Sequence, residues 1–309
     1  MNILITGATS KTAEAITRIL YAETDWTIYL LSSHFTFKQT SHRIKSYTVN
    51  YLNLVELKKI IYELKPDVII NCAALTNVDE CETNRKLCMD LNATLVENLA
   101  SISRVIDCHL ITISTDFIFN GKKGPYVEDA IPEPLNYYGK CKHIAENSCR
   151  VGLTKYTIIR TSVVFGVSSH NKGNFISTLL EKFNAEKEFK IITGQWGTPT
   201  ITDDIAQCIL KVLLYKKYGI YNAAGTTFLN RYELAVKVAK CFGFDSSLVI
   251  PIYPSEINQR AIRPEKAGLV TLKAKTDLKC EYADIDSALF SYRLQLNEGQ
   301  QFYSNFLYN

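Results

Sequence analysis

The chain has 309 residues, 47% apolar and 21% charged, with a formal net charge of +4. That balance describes a globular protein with one large α/β domain, alone or with a smaller partner. Its basic residues form isolated doublets (Lys122–Lys123, Lys216–Lys217) and no apolar stretch approaches roughly 18 residues, which argues against nucleic-acid binding and a membrane span.

In chain order, short apolar runs at Ile3–Thr6, Thr27–Leu31, Val68–Asn71, Leu110–Ser114 and Thr157–Arg160 predict strands. The amphipathic stretches near Lys11–Tyr21, Leu54–Glu63, Arg85–Ser101 and Tyr137–Arg150 predict helices between them. Apolar strands alternating with helices predict a Rossmann-type, doubly wound parallel sheet that binds ligands at its carboxyl ends. After Gly166 come helices near Asn174–Phe183, Asp203–Leu214 and Arg231–Phe242, a loop at Gly194–Thr200, and an irregular stretch, Val249–Thr276. The pattern predicts a dinucleotide-binding domain over 1–165, rejoined by about 198–225. A smaller substrate-binding lobe, partly discontinuous, takes 166–197 and 226–309.

Nine scattered cysteines form no CxxC pair, which points to free thiols and a cytoplasmic setting rather than zinc or a disulfide framework. The start of the chain runs into a strand without a signal-peptide pattern. The five histidines, among them His34, lack ligand spacing, and Asp203–Asp204 fit a helix N-terminus better than a metal site. No metal is expected.

The turn between the first strand and the first helix, Gly7-Ala8-Thr9-Ser10-Lys11-Thr12-Ala13, suits a pyrophosphate, whose charge a helix N-terminus attracts. Of the three glycines usual there it keeps only Gly7. Ser10 puts a side chain where the pyrophosphate would lie, though its hydroxyl could donate to it. The second strand ends without the acidic residue that binds a ribose 2′-hydroxyl, and Ser32, Ser33 and Lys11 suit a 2′-phosphate, so NADP is favoured over NAD.

Of eighteen tyrosines, only Tyr138 has a lysine four residues on, Lys142. On a helix that spacing puts both on one face. A nearby ammonium is expected to lower the phenol pKa toward neutrality, as a proton donor to a carbonyl requires.

Several ordered segments resemble the dTDP-4-dehydrorhamnose reductase family, an extended branch of the short-chain dehydrogenase/reductases. They include Asn71-Cys72-Ala73-Ala74-Leu75-Thr76-Asn77-Val78-Asp79 with Glu82 and Leu91-Asn92-Ala93, Ser114-Thr115-Asp116-Phe117-Ile118-Phe119, and Pro134-Leu135-Asn136-Tyr137-Tyr138-Gly139-Lys140-Cys141-Lys142. Arg160-Thr161-Ser162, Gly173-Asn174-Phe175, Gln195-Trp196-Gly197-Thr198-Pro199-Thr200 and Arg263-Pro264 follow in order. The resemblance implies NAD(P)H-dependent reduction of a nucleotide-linked 4-keto-6-deoxy sugar. Tyr138 would protonate the carbonyl oxygen, Thr115 would hydrogen-bond it, and Lys142 would hold the nicotinamide ribose. Gly7, Thr9, Ser10, Lys11, Thr12, Asn50, Tyr51, Ala73, Ala74 and Thr76 match cofactor positions. Thr76, Val78, Thr115, Val163 and Arg263 match substrate positions. Val163 replaces a tryptophan common in these reductases, and Phe117 a tyrosine, so the sugar can differ. Homodimers are usual among such enzymes, although no stretch here marks an interface. The segment Gly121–Lys142 also resembles the beta subunit of methionine adenosyltransferase, which implies a regulatory alternative. An epimerase-reductase would need a further acid/base pair, and Phe117 fills the nearest comparable position.

Overall fold

The computed structural model describes residues 1–33, 41–170, 173–256 and 259–307; His34 lies outside them. Six strands carry the first half: β1 (Asn2–Thr6), β2 (Thr27–Ser32), β3 (Ile44–Thr48), β4 (Val68–Asn71), β5 (His109–Thr115) and β6 (Tyr156–Thr161). With the later strand Gly219–Asn222 they form one parallel sheet, ordered from that strand through β6, β5, β4, β1 and β2 to β3. The chain starts at β1 near the middle and winds outward both ways, so the order reverses between β1 and β4. That is where doubly wound sheets open a crevice.

The helices are α1 (Lys11–Glu23), α2 (Leu54–Leu64), α3 (Val78–Thr83), α4 (Arg85–Met89), α5 (Leu95–Val105), α6 (Tyr137–Gly152), α7 (Phe175–Asn184), α8 (Thr202–Leu214), α9 (Arg231–Phe242), α10 (Leu272–Leu278) and α11 (Ile285–Leu307). Many start on an asparagine whose side chain accepts a first-turn N–H: Asn53, Asn77, Asn84, Asn136, Asn174 and Asn230. Each such cap is worth about 1 kcal/mol and fixes where the helix begins.

One apolar layer joins α1, α8 and α10 to one face of the sheet through Ile3, Ile5, Ile16, Leu20, Ile209 and Leu278. The other joins α2, α5 and α6 through Leu4, Leu57, Leu99, Leu110 and Cys149. Each fully buried Ile or Leu contributes roughly 1.5–3 kcal/mol, which makes the sheet the rigid part of the molecule. A separate lobe packs α7, α9 and the start of α11 around Phe165, Phe183, Leu234 and Tyr292.

The five expected strands are present, and two more join them. Strand β3 escapes a search for apolar runs because its sequence, IKSYT, buries only Ile44 fully. The expected helix Arg85–Ser101 is interrupted by a π-helical turn, Asp90–Thr94. Within Val249–Thr276, expected to be irregular, Val249–Ile252 pairs with Phe189–Ile192. Helix α10 buries Ala274 and Leu278 in the apolar layer beside the sheet. All nine cysteines are free thiols. Among the described residues no helix is long and apolar enough to cross a membrane.

Candidate active site

A cleft of about 420 Å³ crosses the carboxyl ends of β1, β4 and β5, running from the start of α1 to the lobe. A larger cavity, about 920 Å³, lies at the opposite end of the sheet, walled by Pro66, Asp67, Asp107, His109 and Lys155. It contains none of the motif residues. The cleft is the candidate because parallel sheets bind ligands where their strands end.

Gly7 has φ +64°, and a Cβ there would lie 2.5 Å from the Ala73 backbone nitrogen. Only glycine lets the loop rest on the end of β4. The Ser10 hydroxyl accepts the Ala13 N–H at 3.2 Å and so caps α1. Ser10, Lys11 and Thr12 line the cleft, as do Ala73, Ala74, Thr76 and Val78 from the segment after β4. The Lys11 ammonium donates across it to the Gly173 carbonyl at 3.0 Å. Thr9 lies in the same turn but is not among the lining residues.

Tyr51 and Asn50, expected at the cofactor, are not among the residues lining the cleft. The Tyr51 ring is buried beneath the glycine turn, its hydroxyl accepting the Gly7 N–H at 2.7 Å and donating to the Leu31 carbonyl. Burial pushes this phenol well above its ordinary range. It holds the loop from below through these two hydrogen bonds. Asn50 is exposed and accepts the Leu52 N–H at 3.0 Å, closing a turn.

Helix α6 brings Tyr138 and Lys142 to the cleft opposite Thr115. Several contacts fix this helix. Glu82 accepts the Tyr137 N–H at 2.7 Å. A Cβ on Gly139 would sit 2.2 Å from the Phe117 carbonyl oxygen, so the glycine lets α6 close onto the end of β5. Deeper along α6, Glu146 and Arg160 form a fully buried pair at 2.7 and 3.0 Å, and Glu146 also accepts the Ser114 hydroxyl at 2.5 Å. Removing one partner of such a pair costs about 3–5 kcal/mol. Ser114 is thereby committed to Glu146, while its neighbour Thr115 faces Tyr138.

The Tyr138 phenol lies within hydrogen-bond reach of Thr115, and burial pushes its pKa up, with Cys81, Asp116 and Cys88 adding to the rise. This corrects the expected Lys142-driven fall. The Lys142 ammonium, 3% exposed, donates to the Ile113 carbonyl at 2.5 Å, and burial lowers its own pKa. The spacing of four aligns the two side chains on one face without joining them. As the protein stands, Tyr138 is a fully protonated donor. The Phe117 ring meets it edge-on at 6.2 Å, where a tyrosine hydroxyl would otherwise enter the site.

On the lobe side, Val163 lines the cleft with φ +45°, a region β-branched residues rarely enter. The strain persists because its carbonyl accepts the Thr200 N–H at 3.3 Å and its side chain packs over Gly197. Arg263 is not a lining residue: Asp79 takes its guanidinium at 2.7 and 3.1 Å. That pairing holds the Asp79 carboxyl below its usual range.

Sequence reasoning missed two residues. Asn92, in the π turn, is buried and grips the Leu75 N–H at 2.8 Å and carbonyl at 2.9 Å, positioning the Thr76 loop. Its place in the Asn92-Ala93 motif was a usable signal. Arg231, the first residue of α9, enters the cleft with no motif to announce it. Of the Asp203–Asp204 pair, Asp203 binds Arg18 and Gln295, and Asp204 accepts the Ala283 N–H at 3.0 Å; neither caps α8 through its side chain.

Comparison with known proteins identifies the family. A spore coat polysaccharide biosynthesis protein of Bacillus subtilis is 30% identical over 231 residues, 74% of this chain and 80% of the relative. The methionine adenosyltransferase 2 beta subunit of Xenopus laevis is 31% identical over 255 residues, 81% of this chain and 74% of that one. A solved dTDP-4-dehydrorhamnose reductase of Bacillus anthracis in complex with NADP superposes with a TM-score of 0.84 at 25% identity, covering 95% of this chain and 99% of the other. The family model of the RmlD substrate binding domain matches residues 1–295, and the chain belongs to that family.

Proposed function

We propose that this chain is an NADPH-dependent reductase that converts dTDP-4-dehydrorhamnose to dTDP-L-rhamnose, with Tyr138 as the proton donor. The observation that carries this reading is the convergence of Tyr138, Thr115 and Lys142 in one cleft with the glycine turn. Similarity to the solved reductase, whose structure includes NADP, supports the reaction class and cofactor.

The glycine turn and the first turn of α1, residues 7–12, would hold the dinucleotide, with Ala73 and Ala74 beneath it and Lys142 at the nicotinamide ribose. The close turn that Gly7 allows onto the end of β4, and the cleft-lining residues Ser10, Lys11 and Thr12 at the helix start, fit that group. Ser32 and Ser33 at the end of β2, with no carboxylate between them, favour NADPH over NADH. When bound, the cofactor supplies a hydride.

The protein's own part is positional and protonic. Tyr138 keeps its proton at rest and releases it to the carbonyl oxygen as negative charge develops there. Thr115, in reach of that phenol, orients it; its hydroxyl, which donates to Asp116 at a long 3.3 Å, would turn to the same oxygen as a second donor once substrate is bound. Val163 and Phe117 present apolar walls to the sugar. Thr76 and Val78 line the same side.

The test is oxidation of NADPH and NADH by purified protein, with the keto sugar generated in situ. Wild type is expected to turn over with NADPH preferred, and Tyr138→Phe to lose at least about 100-fold, the usual contribution of a general acid. Equal rates in both proteins would remove Tyr138 from the role. A second reading, as a regulatory subunit, rests on the similarity to the adenosyltransferase beta subunit. It predicts no turnover and a stable complex with an adenosyltransferase catalytic subunit.

A further inference from the structure

Arg231 opens α9, whose start is fixed by the capping box of Asn230 and Glu233. Its backbone N–H donates to the Gln195 carbonyl at 3.1 Å. The side chain turns into the cleft, where it shares the lining with Thr115, Asp116, Val163 and Asn174. Phe175 supports the guanidinium plane, with Cζ 4.5 Å from the ring centroid. Nη1 is shut off from solvent and has no hydrogen-bond partner. Among the described residues no carboxylate lies within ion-pair distance of Arg231.

The two obvious ways to neutralise this side of the cleft are already used. Asp116 is the acidic group whose charge acts on Arg231, yet its oxygens accept the Ser162 hydroxyl at 2.6 Å, the Gly268 N–H at 3.0 Å and the Thr115 hydroxyl at 3.3 Å. Arg263 is spent on Asp79 and the Ala261 carbonyl. A guanidinium held out of water without a full set of acceptors is destabilising, and burial accordingly lowers its pKa to about 10. Such a cost at a cleft wall is characteristic of a binding group kept ready for its ligand.

We infer that Arg231 is the anchor for an anionic oxygen group of the substrate and a determinant of which substrates the cleft accepts. The planar guanidinium fork matches two oxygens of a phosphate or a carboxylate, and Phe175 holds that fork in one orientation. In a nucleotide sugar the diphosphate supplies such oxygens; an acidic sugar would supply a carboxylate. This inference rests on reading the cleft as a nucleotide-sugar site, and needs no turnover.

The experiment is calorimetry on the full chain, with and without saturating NADPH, using dTDP, thymidine and D-glucuronate as probes. Wild type, Arg231→Gln and Arg231→Lys are compared, alongside the melting temperature of each ligand-free protein. Wild type is expected to bind dTDP at least tenfold more tightly than thymidine. Arg231→Gln should weaken dTDP binding about 30-fold or more, leave thymidine unchanged, and not lower the melting temperature. Arg231→Lys should recover part of the affinity. Arg231-dependent binding of glucuronate in place of dTDP would also support the anchor and identify a carboxylate as its target. Equal anion affinities in wild type and Arg231→Gln would overturn the inference. So would failure of the wild type to bind either anion, or a loss of affinity accompanied by a lower melting temperature. Absence of NADPH oxidation with these affinities intact would count against the reductase reading alone.

Discussion

Tyr138 shows how far one residue can be read from sequence. Its spacing to Lys142 puts both side chains on one helix face by arithmetic, and both line the cleft. The direction of its pKa does not follow, because burial, together with Cys81 and Cys88 from remote parts of the chain, outweighs the lowering hydrogen bond to Thr115. Tyr51 is a sharper example. The sequence makes it a ligand contact, whereas the fold spends its hydroxyl on Gly7 and Leu31. Tyr51→Phe would leave the Gly7 N–H unpaired and the Leu31 carbonyl with only the Ala8 N–H, at a cost of about 1–3 kcal/mol, and loosen the loop above them. Chemical denaturation should report that loss, and calorimetry a several-fold weaker affinity for NADPH. Unchanged affinity would detach Tyr51 from the loop's function. Val163 was legible as a departure from the family pattern; its positive φ was not, since β-branched residues ordinarily avoid that region.

Among the elements, those with strong local signals are the ones the sequence reveals. Lys11, Leu54 and Tyr137 begin their helices where expected, because Ser10, Asn53 and Asn136 cap them. Val68–Asn71 is a strand to the residue, since all four positions are buried. Strand β3 and the strand Gly219–Asn222 lie at the sheet's two edges, where half-exposed residues blur the apolar pattern. The π turn at Asp90–Thr94 is invisible for another reason: the same residues would suit a continuous α-helix. What selects the turn is tertiary, the grip of Asn92 on both polar groups of Leu75. Turns of this kind recur at functional sites. Asn92→Ala is expected to cost about 2 kcal/mol, mostly from the Leu75 N–H left without a partner and the Leu75 carbonyl left with only the weak Cys81 thiol. Because Leu75 leads directly into Thr76, KM for the sugar nucleotide should rise while NADPH affinity stays within twofold. A kcat loss without a KM change would mean that the turn serves the chemistry instead.

Over the whole molecule, the Rossmann order was legible and the joining of its parts was not. Helix α8 packs along α1, with Asp203 bound to Arg18, and Asp204 reaching the Ala283 N–H just before α11. Burial raises the Asp204 pKa to about 6, from an ordinary value near 4. A carboxyl raised in the folded state favours folding below its unfolded pKa, and that contribution is lost as pH rises through about 6. Asp204→Asn keeps an acceptor for Ala283 without the charge. Relative to wild type its stability should therefore improve between pH 4.5 and 7.5, by on the order of 2 kcal/mol. A difference that does not vary with pH would contradict this assignment. Arg231 was hidden by the same long-range assembly. Phe175 and Asp116, which define its surroundings, are 56 and 115 residues away in the chain.

The central claim, that this cleft delivers hydride to a sugar ketone under proton donation from Tyr138, is tested most directly by isotope transfer. Wild type and Tyr138→Phe would be incubated with NADPH deuterated at the transferring position and the dTDP-linked 4-keto sugar, and the product read by mass spectrometry. The account predicts one deuterium at the sugar C4 with wild type and at least about 100-fold slower labelling in the variant. NADPH binding without any label in the sugar, or equal labelling by both proteins, would contradict it.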